Sequence, residues 1–155
     1  MTTTEQPGRD PAATDHRGLG VLDHQDCLRR IASTPIGRIA FHDAGETVIL
    51  PVNHVVDGGS IAFRARWDSS LASAVNQTSV AFEVDEFDAL EGTGWSVLVK
   101  GVASTVYDEE TSQRFEELLG DQWDEQPEGT FWTSIRPDEI SGREMRVSRR
   151  ECGCC

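Results

Sequence analysis

The chain has 155 residues, enough for one hydrophobic core but too few to divide between two. Its formal net charge is −13, from 27 acidic and 14 basic side chains, so the surface would repel a phosphate backbone and we exclude nucleic acid as a partner. No apolar run approaches the roughly 20 residues that cross a bilayer, and the first residues lack a signal-peptide pattern, which predicts a cytoplasmic protein without a membrane segment.

The N-terminal segment is poor in apolar residues. Residues 1–20 mix Thr, Pro, Gly and Asp, so burial cannot offset the entropy of ordering them and we predict a disordered arm. We expect the folded domain to span residues 21–148. It begins with a helix that Asp23 caps and that ends at Thr34, because Pro35 disfavours helical geometry in the residue before it.

After this helix the apolar periodicity changes to two, which is typical of β-strands. Turn residues separate the segments, so short antiparallel connections are expected between them. The final two strands flank Pro137, Asp138 and Glu139, which resemble a turn. The predicted strands are residues 36–42, 47–56, 60–66, 79–85, 94–107, 131–136 and 143–147.

Two further helices are expected between the strands. Asp68 is a candidate cap for a short helix, and Asp108 caps a second helix that Gly120 ends. Gly101 interrupts the alternation of the longest strand, where a bulge would let the strand turn a barrel corner. Short strands with regular turns and isolated helices favour a mainly β domain, an antiparallel barrel, over a βαβ fold.

Signatures of common enzyme classes are missing from the sequence. It contains no GxGxxG, GxxxxGK, HExxH or GxSxG motif, and its four histidines lack metal-ligand spacing, so we predict no metal site. Cys27 stands alone, whereas the other three cysteines fall in a short tail, residues 149–155. This distribution is not a disulfide framework and favours a reducing compartment. We expect the tail to be flexible and assign it no fixed role.

Five segments follow one another in the order of a known family's core strands. They read IGRIAF at residues 36–41, ILPVNHVVD at 49–57, IAFR at 61–64, VAFEVD at 80–85 and GWSVLVKG at 94–101. The closing segments IRP at 135–137 and ISGR at 140–143 continue the pattern. On these residues the chain resembles the pyridoxamine 5′-phosphate oxidase-like family from about residue 22 to residue 147.

The resemblance implies a split β-barrel, a Greek-key-like antiparallel barrel that pairs as a homodimer. It also implies two equivalent cofactor sites across the subunit interface, each holding a flavin-type cofactor such as FMN. The flavin ring would lie against the backbone of Pro51, Val52 and Asn53, with Trp95 and Ser96 near it from the partner strand. Such a ring needs an apolar wall and a few backbone amides at its polar edge.

The predicted phosphate end departs from the family's pattern. Relatives that hold FMN commonly read Phe-Arg-Thr and then Ser-Lys-Leu, where the hydroxyl and the lysine bind phosphate. In this chain Arg64 remains, Ala65 replaces the hydroxyl and Ser70 replaces the lysine. Arg66 on the same strand face is the candidate that compensates, and the nearness of both arginines to Ser69 and Ser70 at the predicted helix start favours a phosphate site there. The alternative is that both arginines simply form a solvated strand edge.

Three functions stay open at this stage. The first is an FMN-dependent oxidoreductase acting on a small molecule, and the second is a deazaflavin-dependent reductase, which the acidic surface disfavours because that cofactor is polyanionic. The third is a non-enzymatic binding or sensor module that has lost flavin and carries another ligand, such as haem, or none. Oxidation of pyridoxamine phosphate itself is not expected, because the chain lacks basic residues for a second phosphate.

Overall fold

Antiparallel strands form a closed barrel in the computed structural model, which describes residues 13–66, 68–122 and 128–145. Three helices accompany the strands within those ranges: α1 (His24–Ser33), α2 (Ser70–Val75) and α3 (Glu109–Leu119), the last followed by a short 3-10 turn. The strands are β1 (Gly20–Leu22), β2 (Ile36–Asp43), β3 (Glu46–Asp57), β4 (Ser60–Arg66), β5 (Thr78–Asp88), β6 (Thr93–Thr105) and β7 (Thr130–Met145).

The sheet closes because its longest strand has neighbours on both sides. The strand order is β1-β7-β4-β3-β2-β5-β6, and β7 also pairs with β6. Residues 130–135 of β7 pair with β4, while residues 133–145 pair with β6 and the short β1 joins the end of β7. Barrel closure removes most exposed strand edges. The predicted mainly β, antiparallel barrel is therefore confirmed.

The barrel interior is filled by alternate side chains of the strands, as period-two packing requires. Helix α1 contributes Ile31 to this core, and α2 contributes Leu71 and Val75. A second apolar cluster outside the barrel packs α3 against β3, β4 and β7 through Phe115, Val55, Ala62 and Trp132. The side chains that strands bury completely in the interior include Ile39, Ile61, Phe63, Phe82, Val84, Val97, Val99 and Ile135.

Helix ends follow their capping residues. Asp23 accepts a 2.8 Å hydrogen bond from the Asp26 amide at the start of α1, and Asp108 accepts one of 2.9 Å from the Thr111 amide at the start of α3. Both predicted caps are confirmed. The predicted cap of α2 was wrong: Ser69 accepts from the Ala72 amide, because Asp68 lies one position too early and binds a neighbouring arginine.

The last two predicted strands are one continuous strand, β7, and the predicted turn between them was wrong. Pro137 lies opposite Gly101 at a bulge between Lys100 and Gly101. A bulge tolerates a residue that cannot donate to the ladder, so the proline does not interrupt pairing here. The predicted bulge at Gly101 is confirmed, whereas the last residues of the predicted strand 143–147 lie outside the described ranges.

Both chain ends reach beyond the described residues. Residues 1–12 of the predicted arm lie outside them, as does the cysteine tail, residues 149–155. Residues 13–19 form a turn before β1, in which the Asp15 carboxylate accepts hydrogen bonds from the Arg17 and Leu19 amides at 2.8 and 3.0 Å. Its second oxygen accepts a 3.1 Å bond from Arg143 on β7, which fastens the turn to the barrel. No helix within the described ranges is long and apolar enough to span a bilayer.

Candidate functional site

The first predicted ring residues lie on β3 where that strand has a free edge. Residues 46–53 pair with β2 alone in the part of the chain that the structure describes, whereas residues 54–57 pair with β4. Pro51 is exposed and lies opposite Arg38, on the outer face of the sheet. Val52 points inward and packs against the core. The backbone edge beside Pro51 therefore offers polar groups to a ligand, with Pro51 as an apolar neighbour.

Asn53 carries an unusual polar atom. Its Oδ1 is buried and has no hydrogen-bond partner among the described residues. Leaving a buried acceptor unpaired costs about 1–3 kcal/mol, so such an atom is generally retained for a ligand, a water or a function. Asn53 lies opposite Ile36 on the same outer face as Pro51. Asn53 therefore carries a buried, unpaired acceptor next to the free edge of β3.

The neighbouring His54 is buried with 5 % of its surface exposed. Its Nε2 lies 2.8 Å from the Ile31 carbonyl oxygen, so Nε2 carries the hydrogen and donates it, and the ring packs edge-on against Phe82. Nδ1 then has no partner among the described residues. Burial lowers the pKa of His54, and the bond to Ile31 opposes that shift only in part. His54 is therefore a neutral residue of the core beneath Asn53.

The two predicted ring residues on β6, Trp95 and Ser96, lie on opposite faces of the sheet. Ser96 is exposed on the outer face, opposite Asp85 and Arg143. Trp95 packs against the core, and the Arg30 guanidinium lies 5.2 Å from its ring centroid. A shallow cleft of about 310 Å³ runs beside both residues and is lined in part by Arg143. Trp95 also lines a second cleft, of about 530 Å³, together with Arg30 and Glu144.

A single chain does not bring the two halves of the predicted ring site together. In the sheet, β2 and β5 separate β3 from β6. Three strand spacings place Pro51 about 14 Å from the β6 position level with it. Pro51, Asn53 and Ser96 nevertheless share the outer face of the sheet. A ligand that touches all three within one chain would have to reach around the closed barrel past two intervening strands.

At the predicted phosphate end, Arg64 is held by α3. Its Nε donates a 3.0 Å hydrogen bond to Glu116 Oε1, and a terminal nitrogen pairs with the second carboxylate oxygen. The guanidinium also lies 5.2 Å from the Trp132 ring centroid, and Trp132 Nε1 donates to the same Glu116 oxygen at 2.8 Å. Burial lowers the pKa of Arg64. These contacts fasten α3 to the barrel wall.

Arg66 lies at the end of β4, apart from Arg64's partners. Its Nε and a terminal nitrogen donate to the two oxygens of Asp68 at 3.0 and 3.1 Å. The pair raises the pKa of Arg66 and lowers that of Asp68. Ser69 Oγ donates to the Arg66 carbonyl at 2.7 Å, and Ser70 is the first residue of α2. The structure therefore brings Arg66, Ser69 and Ser70 together and places Arg64 against α3.

Sequence reasoning missed the partners of these arginines. Glu116 is 52 positions from Arg64 along the chain, and nothing in the pattern of α3 marks its carboxylate as different from the neighbouring ones. Arg30 was missed for the same reason. Asp68 was predicted as a helix cap and not as the partner of Arg66, although its two-residue spacing from Arg66 was the available signal. No three potential metal ligands come together within the described ranges.

Comparison with known proteins identifies the family. Residues 23–144 match the sequence profile of the pyridoxamine 5′-phosphate oxidase family, so the chain belongs to that family. It is 35 % identical to the uncharacterized protein Rv0080 of Mycobacterium tuberculosis over 134 residues, which cover 83 % of this chain and 87 % of the relative.

Two solved structures extend the comparison. The FAD-binding protein of Mycobacterium smegmatis is 32 % identical, with a TM-score of 0.65 over 83 % of this chain and 99 % of the other. A putative pyridoxamine 5′-phosphate oxidase of Corynebacterium glutamicum is 30 % identical, with a TM-score of 0.66 over 89 % of this chain and 97 % of the other. Both share the fold across almost their whole length.

Proposed function

We propose that the protein binds a flavin between the subunits of a homodimer and acts as an oxidoreductase on a small molecule. The observation that carries the proposal is the outer face of β3, where the buried, unpartnered Oδ1 of Asn53 lies beside the free strand edge and the exposed Pro51. A flavin ring is planar, with an apolar face and a polar edge that includes an N–H donor, and it fits this combination. The 32 % identical relative from M. smegmatis is named an FAD-binding protein, which supports the same ligand class.

The separation of the predicted ring residues on β3 from those on β6 supports the proposed dimer. Because Pro51 and Ser96 lie three strands apart on one face, pairing two such faces about a two-fold axis lets Ser96 of one subunit approach Pro51 of the other. Exposed apolar side chains on this face support the pairing: Ile36, Ile49 and Leu98. The site is then incomplete in a single chain.

FMN is the flavin that we propose as cofactor, and when bound it supplies the hydride and electron chemistry. The protein's own residues bind and orient it. Pro51 shields one side of the ring from water, Asn53 accepts a hydrogen bond from its polar edge, and Ser96 of the second subunit supplies a hydroxyl. No side chain is required as a general acid or base.

The second candidate is a binding module without enzymatic activity. It is favoured by the engagement of Arg64 and Arg66 with carboxylates of the same chain, since a redox enzyme must hold its cofactor through many turnovers. A haem in place of the flavin would belong to this candidate. The net charge of −13 disfavours the third candidate, a reductase that uses a polyanionic deazaflavin.

Titration of the purified protein with FMN tests the proposal through the change in flavin fluorescence. We expect saturable binding of one flavin per subunit, weakened about tenfold by Asn53→Ala because a buried hydrogen bond is lost. Gln25→Ala removes an amide from an exposed face of α1 and is the matched control, which should bind as the unmodified protein does. Absence of saturable binding would contradict the proposal, and a haem-like absorbance of the isolated protein would favour the second candidate.

A further inference from the structure

Both arginines of the predicted phosphate end are already bound to carboxylates of the same chain. The Arg64 guanidinium uses Nε and a terminal nitrogen on Glu116 and stacks on Trp132, with 16 % of its side chain exposed. A phosphate could bind it only by breaking charge-assisted hydrogen bonds in a half-buried setting, where such bonds are strongest. Displacing Glu116 would also remove the acceptor of the Trp132 indole. Arg64 is therefore a structural residue of the α3 contact.

Arg66 is exposed, but its guanidinium already binds a carboxylate through the nitrogens that a phosphate would use. Nε and a terminal nitrogen donate in parallel to the two oxygens of Asp68, the bidentate geometry by which arginine also binds a phosphate. Asp68 lies two residues away on the same chain, so its local concentration exceeds that of any dissolved ligand. A phosphate at Arg66 must compete with this internal carboxylate.

The hydroxyls at this end add little to phosphate binding. Ser69 Oγ donates to the Arg66 carbonyl and accepts from the Ala72 amide, so both roles of the hydroxyl are taken by the helix cap. Ser70 stands where FMN-binding relatives carry lysine, and Ala65 where they carry a hydroxyl. The overall charge of −13 opposes a phosphate as well. Residues present at this end do not fit a phosphate monoester.

We propose that this chain recognises its flavin through the ring system and not through the phosphate, so that riboflavin and FMN bind alike. The inference rests on the proposed function and deepens it, because it names the part of the flavin that the protein binds. The free edge of β3 and the unpartnered Oδ1 of Asn53 remain available to the ring, while Glu116 and Asp68 neutralise the phosphate end. Asp68 is the residue that excludes phosphate from Arg66.

Comparison of riboflavin and FMN in parallel titrations tests the inference at low and high salt. We expect dissociation constants within about threefold of each other and little dependence on salt, because few counterions are released when no phosphate is bound. FMN binding more than about tenfold tighter than riboflavin would overturn this inference while leaving the proposed function intact. Failure of both flavins to bind would overturn the proposed function and this inference together.

A variant separates the role of Asp68 from general electrostatics. Asp68→Asn frees Arg66 and should tighten FMN about tenfold, with riboflavin unchanged, since only FMN offers a new partner for the guanidinium. Asp121→Asn removes one negative charge from an exposed position outside the site and is the matched control. Circular dichroism verifies that both variants fold. If Asp68→Asn leaves the ratio of the FMN and riboflavin affinities as it was, or tightens both flavins equally, the proposed competition by Asp68 is wrong.

Discussion

The Arg30 guanidinium on α1 lies 5.2 Å from the ring centroid of Trp95 on β6 and donates a 2.8 Å hydrogen bond to Glu144 on β7. One side chain thus fastens the first helix to two adjacent strands. It also covers one side of Trp95, so this aromatic ring is held as part of the barrel end. We expect Trp95 to contribute more to stability than to ligand stacking.

Replacing Arg30 tests this structural role. Arg30→Met should lower the free energy of unfolding by about 1–2 kcal/mol, because both a cation–π contact and a charge-assisted hydrogen bond are lost. Arg29→Met is the control: Arg29 is largely exposed and, among the described residues, pairs with Asp26 on its own helix, so its loss should cost less than about 0.5 kcal/mol. Urea unfolding measures both. Equal effects of the two substitutions would show that Arg30 is an ordinary surface residue.

His54 gives the fold a dependence on pH. Burial lowers the pKa of His54 in the folded state below its ordinary value of 6.5, so the unfolded chain binds the proton more readily. Its contribution to stability is therefore complete above pH 6.5 and is lost as the pH falls below it, by up to about 1.4 kcal/mol per pH unit. Urea unfolding at about pH 7.5 and about pH 5.5, one value above and one below 6.5, measures the loss of stability.

A substitution identifies the group responsible. His54→Phe should flatten the pH dependence, and the Ile31 carbonyl keeps a partner because the Thr34 backbone N–H also donates to it. His42→Gln replaces an exposed histidine and should leave the dependence unchanged. If His54→Phe retains the full loss of stability between the two pH values, another group controls it.

Gly101 should tolerate no side chain. A Cβ at this position would lie 2.2 Å from the Arg136 carbonyl oxygen, across the bulge between β6 and β7. Because the obstacle is backbone, Gly101→Ala should lower the free energy of unfolding by about 2–3 kcal/mol. Ser104→Ala, on the same strand, should change it by less than about 0.5 kcal/mol. A tolerated Gly101→Ala, measured by thermal unfolding, would contradict the described pairing of β6 with β7.

The proposed dimer uses the outer face of the sheet. Ile49 is 62 % exposed on that face, and Ile49→Asp should convert the dimer to a monomer because it places an unpaired carboxylate in an apolar interface. Leu90→Asp is the control, since Leu90 is 97 % exposed at the tip of the β5–β6 hairpin, away from this face. Sedimentation velocity distinguishes the species. A monomeric unmodified protein, or an Ile49→Asp variant that still pairs, would contradict the proposed interface.

Local signals in the sequence predicted most of the fold. Asp23, Asp108 and Gly120 mark helix ends because caps depend on neighbours within a few residues, and Gly101 marked the bulge in the same way. Pro137 misled because a proline followed by Asp usually indicates a turn, and only the partner strand shows that Pro137 lies in a continuous strand beside a bulge. The three-residue β1 was missed because so short a strand carries no periodicity.

The site was harder to predict because its contacts are remote in sequence. The resemblance directed attention to Pro51 and Asn53, but the unpartnered state of the Asn53 oxygen is a property of packing. Likewise, the alternation of β4 placed Arg64 and Arg66 on one face, but the carboxylate of Glu116 reaches Arg64 only through the packing of α3. Charge pairs between distant elements leave no periodic signal in a single sequence.

Mixed dimers test the central claim, a flavin site shared by two subunits, most directly. Asn53→Ala weakens the β3 half of the site about tenfold and Ser96→Trp fills the β6 half, so at a flavin concentration near the dissociation constant of the unmodified protein each variant alone should leave most sites empty. When the two variants are unfolded together and refolded in equal amounts, half of the dimers are mixed and each mixed dimer regains one unmodified site. We predict that about a quarter of all sites then bind riboflavin tightly in equilibrium dialysis. No recovery of tight binding in the mixture would contradict a site built from both subunits.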